Sequence, residues 1–179
     1  MSESVVRYIA DLHLYDQVNV LWRNQAMLIE YDLAHTWNQY VNEDDTVFIV
    51  GDIGKQCRHT YNTIRQLKGK KILVLGNHDR DWVWDDEARS LFDGIHDYIL
   101  SNDVLLIHDP KDAQYFRAKW VIHGHLHTYE AELLARDHEN YIRDNHRFNC
   151  AIDMNCLYPV TFQQLSYNKS LYVEEHSTR

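Results

Sequence analysis

A chain of 179 residues, 45% apolar and 25% charged, fits a single soluble domain over 1–179, large enough to bury a core without disulfide staples. Its formal charge of −9 argues against broad binding to a nucleic-acid backbone, which draws on clustered Lys and Arg, although carboxylates gathered around a cation would change the local sign.

The first strand is expected at Val5 to Ala10. A helix follows from about Val20 to Val41, where Leu21, Met27, Leu28, Leu33, Trp37, Tyr40 and Val41 recur at helical spacing. A strand at Thr46 to Val50, a helix at about Arg58 to Leu67 and a strand at Lys71 to Leu75 complete an alternation that suggests a parallel or mixed sheet with helical crossovers. The second half is denser in short strands, at Tyr98 to Leu100, Val104 to Ile107, Lys119 to Ile122 and Asn149 to Ile152, with two more near Val160 to Phe162 and Leu171 to Val173. Few helices fit between them. The expectation is an α/β fold of two packed mixed β-sheets flanked by helices. Tyr129 to Arg147 is charged enough for a solvated loop or short helix.

Cys57, Cys150 and Cys156 are odd in number and lack Cys-x-x-Cys spacing, so they point to neither a disulfide framework nor a zinc ribbon and read as small buried hydrophobes. Apolar runs of about five residues are too short for a bilayer span, and the N-terminus lacks the pattern of a signal peptide, so a cytoplasmic location without membrane is expected.

Five short blocks carry the chemistry: Asp11-Leu-His13, Gly51-Asp52, Gly76-Asn77-His78-Asp79, His108 and Gly124-His125-Leu-His127. Any one alone is a weak signal in a chain with 12 histidines. Their order matters more, because each follows a strand-like run, VVRYIA, TVFIV, KILVL, DVLLI and WVI. In extended backbone residues i and i+2 share a face, so Asp11 with His13, and His125 with His127, can each converge on one point. The glycines permit sharp turns and close backbone approach, and Asp52 has two oxygens with which to bridge two cations. Carboxylate, imidazole and one amide, with no thiolate, suit Mn²⁺, Fe, Zn²⁺, Co²⁺ or Ni²⁺ better than Ca²⁺ or a soft metal. Two such ions form a clamp on phosphoryl oxygens.

These blocks, DLH, GDIG, GNHD, the isolated His108 and GHLH, resemble the calcineurin-like metallophosphoesterases over about Val5 to Leu165, with the tail NCAIDMNCLYPVTFQQL similar to the closing strands of short bacterial and phage members. The resemblance implies a four-layer α/β/β/α sandwich and a dinuclear, metal-dependent phosphoesterase, with two divalent transition-metal ions as cofactors, Mn first among them. It places Asp11, His13, Asp52 and His127 on one metal and Asp52, Asn77, His108 and His125 on the other. His78 becomes the catalytic histidine, oriented by Asp79, while a bridging hydroxide attacks phosphorus in line. The implied partner is a small phosphate ester, nucleotides included, and diesters of modest size are favoured over monoesters.

The reads GDIGK and GNHD depart from the protein Ser/Thr phosphatases of that family. Arg136, Arg143 and Arg147 are candidates for contact with substrate phosphate, and Trp82 and Trp84 for stacking on a base, although core or rim packing is the ordinary role of such tryptophans. His123 is expected to be structural or to support the ligands rather than to be one, His35, His59, His96, His138, His146 and His176 to be surface or locally hydrogen-bonded residues, and Lys55 an exposed lysine. Two other classes stand beside the enzyme: a catalytically inactive scaffold of the same fold, and a metallo-β-lactamase-like hydrolase, whose Asp-His pair HGHLHTYE lacks.

Overall fold

The run Thr46–Val50 alternates its side chains between two apolar surroundings, and that alternation organises the molecule. In a computed structural model, which describes residues 4–16, 26–127 and 140–177 and the side chains among them outside 26–32 and 177, it forms β2, at the middle of a parallel sheet. That sheet runs in the order β1 (Val6–Ile9), β2, β3 (Lys70–Val74), β4 (Gly94–His96), with Ile9 opposite Ile49 and Val50 opposite Val74. A second sheet is ordered β5 (Ile99–Ser101), β6 (Val104–Leu106), β7 (Trp120–His123), β8 (Arg147–Asn149). β5 is antiparallel to β6, and the other neighbours are parallel. The chain is thus α/β with two four-stranded sheets flanked by helices. Only the second sheet is mixed; the first is wholly parallel, as its helical crossovers and apolar burial on both faces require.

Val47, Ile49 and Leu73 face one way, onto Leu33 and Trp37 of α1 (Ala26–Tyr40) and Tyr61 and Ile64 of α2 (Arg58–Gln66). Val50 and Val74 face the other way, onto Leu106, Ile122 and Phe148 of the second sheet. On that sheet's far face Leu105 and Val121 pack with Ala113 of a 3₁₀ turn, Pro110–Tyr115. Helix α1 is pinned to the end of α2 by Trp37 Nε1, which donates to the Lys68 carbonyl at 3.0 Å. A one-turn helix, α3 (Asp86–Arg89), is capped by the Asp85 side chain.

The C-terminal strands anticipated from the sequence are replaced by a helix. Val160 makes only an isolated antiparallel bridge to Tyr8, and Leu171 to Val173 lie inside α4 (Phe162–Ser177). The start of α4 is a reciprocal cap: Thr161 Oγ1 accepts from Gln164 N–H at 3.3 Å while Gln164 Oε1 accepts from Thr161 N–H at 2.8 Å. β8 also ends early, and Ile152–Met154 form a 3₁₀ turn rather than strand. In the expected first helix, residues 20–25 lie outside the described residues, as do 128–139 of the Tyr129 to Arg147 stretch; residues 140–143 are helical. Cys150 alone is fully buried, with Cys57 half-buried and Cys156 exposed, so the small-hydrophobe reading holds for one cysteine of the three.

Lys169 of α4 is buried, donating to the carbonyls of Asp144 and Arg147 and lying 4.4 Å over the Tyr141 ring. Burial, against the pull of Asp144, lowers its ammonium to about 8. The folded state therefore releases this proton before the unfolded chain does. The cost of holding the charge is fully present below pH 8 and is relieved as pH rises toward the unfolded value of 10.5. Urea unfolding should show wild type gaining about 1–3 kcal/mol relative to Lys169→Met between pH 8 and 10.5. A pH-independent difference would refute the shift.

Candidate metal centre

Each of the five blocks begins within three residues of the carboxyl end of a parallel-paired strand: Asp11 after β1, Asp52 after β2, Asn77 after β3, His108 after β6 and His125 after β7. Parallel strands aim these ends at one edge of the paired sheets, where α/β folds commonly place their sites. Three glycines let the loops close up. A Cβ on Gly51 would overlap the His108 ring, one on Gly76 would overlap the Asp52 carboxylate, and one on Gly124 would sit 2.5 Å from Asp11 Oδ2. The glycines at these block positions are therefore demanded by packing against the His108, Asp52 and Asp11 side chains themselves.

Backbone strain concentrates at the same edge. Among the described residues seven non-glycine positions have positive φ, and four of them are Asp11, His13, Asp52 and His125. Such conformations cost on the order of 1–3 kcal/mol each and persist where the surroundings enforce them, most often at functional sites. They also change the geometry anticipated from the sequence. Asp11 with His13 do meet, but in left-handed rather than extended backbone, and His125 and His127 part to different groups.

Three overlapping groups result: Asp11, His13 and His127; His13, Asp52 and His78; and Asp52, His108 and His125, with one candidate ligand atom from each member within 4.8 Å of the others. Asp11 Oδ1 lies 3.4 Å from His127 Nε2 and 3.8 Å from His13 Nε2. Asp52 Oδ2 lies 3.2 Å from His108 Nε2, 3.7 Å from His13 Nε2 and 3.9 Å from His78 Nε2. Asn77 Oδ1 approaches His108 Nε2 at 3.2 Å. All seven expected ligands, and His78, are brought to this edge. Asp52 belongs to two of the three groups, and Asp11, Asp52, His13, His108 and His127 are buried.

The donor set fits divalent cations. His108 Nδ1–H donates to the Val50 carbonyl at 2.8 Å, and a carbonyl can only accept, so in the neutral ring the lone pair lies on Nε2, facing Asp52 and Asn77. His127 is held in the same sense by Asp153, whose carboxylate oxygens are 3.2 and 3.3 Å from Nδ1. Burial alone would lower both histidines, but the neighbouring carboxylates overcome it. Asp52 and Asp11 raise His108 to about 9, and Asp11 and Asp153 raise His127 to about 9. Buried negative charge at this density calls for cations, protons or metals.

Asp153 was not anticipated from the sequence, although it follows an apolar run, NCAI, much as the ligand blocks do. Replacing Asp153 with Asn should weaken divalent-cation affinity by about 10–100-fold while the fold is retained. Competition with a chelating dye would measure this, and unchanged affinity would remove Asp153 from the centre.

Asp79 departs from its expected role. Its Oδ2 accepts from the backbone N–H of Asp52 at 2.8 Å and Gly76 at 2.9 Å, and its Oδ1 from that of Ile53 at 2.9 Å. It makes no bond to the His78 ring; it clamps the Asp52 loop to the Gly76 turn. Burial, helped by the Asp52 charge, raises its carboxyl while those three N–H groups pull it down. His78 is instead placed by its own N–H, which donates to Asp52 Oδ1 at 3.0 Å, and its side chain is 46% exposed at the mouth.

His123 is structural, as expected. It is fully buried, its Nδ1 bonds the Gly124 carbonyl at 2.8 Å, its ring stands edge-on to Tyr141, and burial lowers it to about 4. Arg147 is tied to Asp144 and the Pro110 carbonyl, and Arg143 lines a separate surface hollow with Asn140 and Asp144. Arg136 and His138 lie outside the described residues. Trp82 is buried against Tyr61, Trp84 is exposed, and Lys55 is exposed.

No family model matches the chain. It is 36% identical to the Gene 66 protein of Mycobacterium phage L5 over 91 residues, 47% of this chain and 44% of that protein, so the match spans less than half of the phage relative. An uncharacterized protein of Methanocaldococcus jannaschii is 24% identical over 146 residues, 72% of each chain. Among solved structures, a protein of unknown function from Aquifex aeolicus superposes with a TM-score of 0.70 at 21% identity, covering 92% of this chain and 99% of that one. That likeness is one of fold. No helix among the described residues is long and apolar enough to cross a membrane.

Proposed function

We propose that the chain is a dinuclear metal-dependent phosphoesterase of the calcineurin-like type, its two sheets and flanking helices forming the four-layer sandwich of that family. The observation that carries this reading is the Asp52 carboxylate, buried, held in left-handed backbone and common to two of the three His/Asp groups. A carboxylate so placed suits a bridge between two cations, and thiolate is absent from the groups.

Asp11, His13, Asp52 and His127 would hold one cation and Asp52, Asn77, His108 and His125 the other. When bound, the pair supplies Lewis acidity toward phosphoryl oxygens and activates water near neutral pH. The chain itself contributes placement and proton transfer. Val50 and Asp153 fix the rings of His108 and His127 so that Nε2 faces inward. His78, half-exposed beside Asp52, is the imidazole free to approach an ester, and its Nε2–H gives its proton to the leaving oxygen. An open mouth accommodates diesters and monoesters alike, with small nucleotides among them.

Elemental analysis after loading with Mn²⁺, followed by assay on bis-p-nitrophenyl phosphate and p-nitrophenyl phosphate, tests the reading. Hydrolysis of at least one ester, abolished by chelation, is expected, with His78→Ala lowering kcat by about 10²–10⁴ while metal content stays the same. Metal without hydrolysis of either ester would favour a binding module of this fold, and absence of both would end the proposal.

A further inference from the structure

A pocket of about 500 Å³ adjoins the Asn77, His108 and His125 side of the centre. Its volume lies in the range that encloses a small organic molecule. Two features of its wall bear on what enters it.

The first is aromatic. Tyr115, at the end of the 3₁₀ turn, is 77% exposed and has no ring partner among the described residues. Tyr98, 47% exposed, is braced by Phe116, ring centroids 4.5 Å apart at 56°. Exposed tyrosines on the wall of a cavity, one of them held by a neighbouring ring, suit stacking against a planar ring.

The second is charge. Arg80 lines the pocket, but its guanidinium is engaged by Asp97 at 2.8 Å, and Asp109 and Asp112 add two further carboxylates. Asp109 reaches to 3.8 Å from His125 Nε2 at the edge of the centre, while Asp112 stands farther along the wall, so with Arg80 and Asp97 paired the wall is net acidic. It repels a second phosphate and accepts hydrogen bonds from hydroxyl and amino groups.

Resting on the phosphoesterase reading, we infer that this pocket receives the organic group of the substrate, a nucleoside esterified to one phosphoryl group, with Tyr98 and Tyr115 as its stacking residues. The phosphoryl group then lies at the Asn77, His108 and His125 edge, and the base and its hydroxylated sugar extend over the 3₁₀ turn. Nucleoside polyphosphates are selected against by Asp109 and Asp112.

Steady-state kinetics of the Mn²⁺-loaded chain on adenosine 5′-monophosphate, adenosine 5′-diphosphate and ethyl phosphate test this, together with calorimetric titration of adenosine into the EDTA-treated chain. KM for the monophosphate should lie at least about tenfold below that for ethyl phosphate and below that for the diphosphate. Tyr115→Ala, at an exposed position where folding is little affected, should raise KM for the monophosphate about tenfold, leave ethyl phosphate within about twofold and abolish adenosine binding. Equal KM values for monophosphate and ethyl phosphate, tighter use of the diphosphate, or a Tyr115→Ala effect shared by both monoesters would overturn the assignment. If no ester is hydrolysed, the titration decides alone. Adenosine binding lost in Tyr115→Ala keeps the pocket while the phosphoesterase reading falls, and no binding removes the pocket.

Discussion

Asp52→Asn should cost the chain its second cation and lower kcat/KM by at least about 10³, equivalent to about 4 kcal/mol of transition-state stabilisation. Asn is nearly isosteric and keeps Oδ1 as acceptor for the His78 N–H, so the loop retains its local bond. What disappears is the anionic oxygen 3.2 Å from His108 Nε2 and 3.7 Å from His13 Nε2. Burial works against ionisation of Asp52, as does the nearby Asp11 charge, and the His108 contact outweighs them to lower its carboxyl. Because the fold favours the ionised carboxyl, its removal should also destabilise the metal-free protein, by about 1–3 kcal/mol once relief of the Asp11 repulsion is counted. Metal content and unfolding of the chelated variant separate the two effects. Full retention of two cations with wild-type turnover would show that Asp52 is not the shared ligand.

The second large effect is on stability. Asp79→Ala leaves the N–H groups of Asp52, Ile53 and Gly76 without their acceptor in a fully buried setting. Each buried donor so stranded costs roughly 1–3 kcal/mol, offset in part by relief of a buried charge, so a net loss of about 3–5 kcal/mol is expected. Asp79→Asn should lose less. Its amide oxygen can serve the Asp52 and Gly76 N–H pair, but its NH₂ then faces the Ile53 N–H, a donor against a donor. Urea unfolding of the chelated proteins measures both without linkage to metal. A loss below about 1 kcal/mol for Ala would mean that the clamp is not formed.

Much of the architecture was legible because local pattern and tertiary burial agree. Thr46–Val50 is strand in both, and the Leu33, Trp37 and Val41 spacing marks the buried face of α1. The C-terminal helix was misread because apolar Leu-Tyr-Val at 171–173 resembles a strand in isolation. The helical period is carried by Leu165, Lys169 and Tyr172, and its middle member is a lysine buried under aromatic rings. The Thr161-x-x-Gln164 cap was the signal that could have revealed it. Strand β4 has only Gly94–His96 and exists because β3 offers an open edge.

At the centre the His, Asp and Asn side chains that come together, and their order, were readable, since the glycine-bearing blocks follow strands. Spacing alone did not say which histidine meets which carboxylate; the family resemblance divided them as the structure groups them, His13 and His127 with Asp11, and His108 and His125 with Asp52. Extended backbone paired His125 with His127, whereas positive φ at His125 turns the two rings to different groups. Asp79 looked like a partner of its neighbour His78, and only the fold brings it within reach of three backbone amides contributed by residues 52, 53 and 76.

The central claim, a shared carboxylate between two cations, is tested most directly by anomalous scattering from crystals grown with Mn²⁺. The account predicts two Mn²⁺ peaks about 3.5–4 Å apart. One should contact Asp11, His13 and His127, the other Asn77, His108 and His125, with Asp52 touching both. A single peak, or two peaks of which either leaves Asp52 uncoordinated, would contradict it.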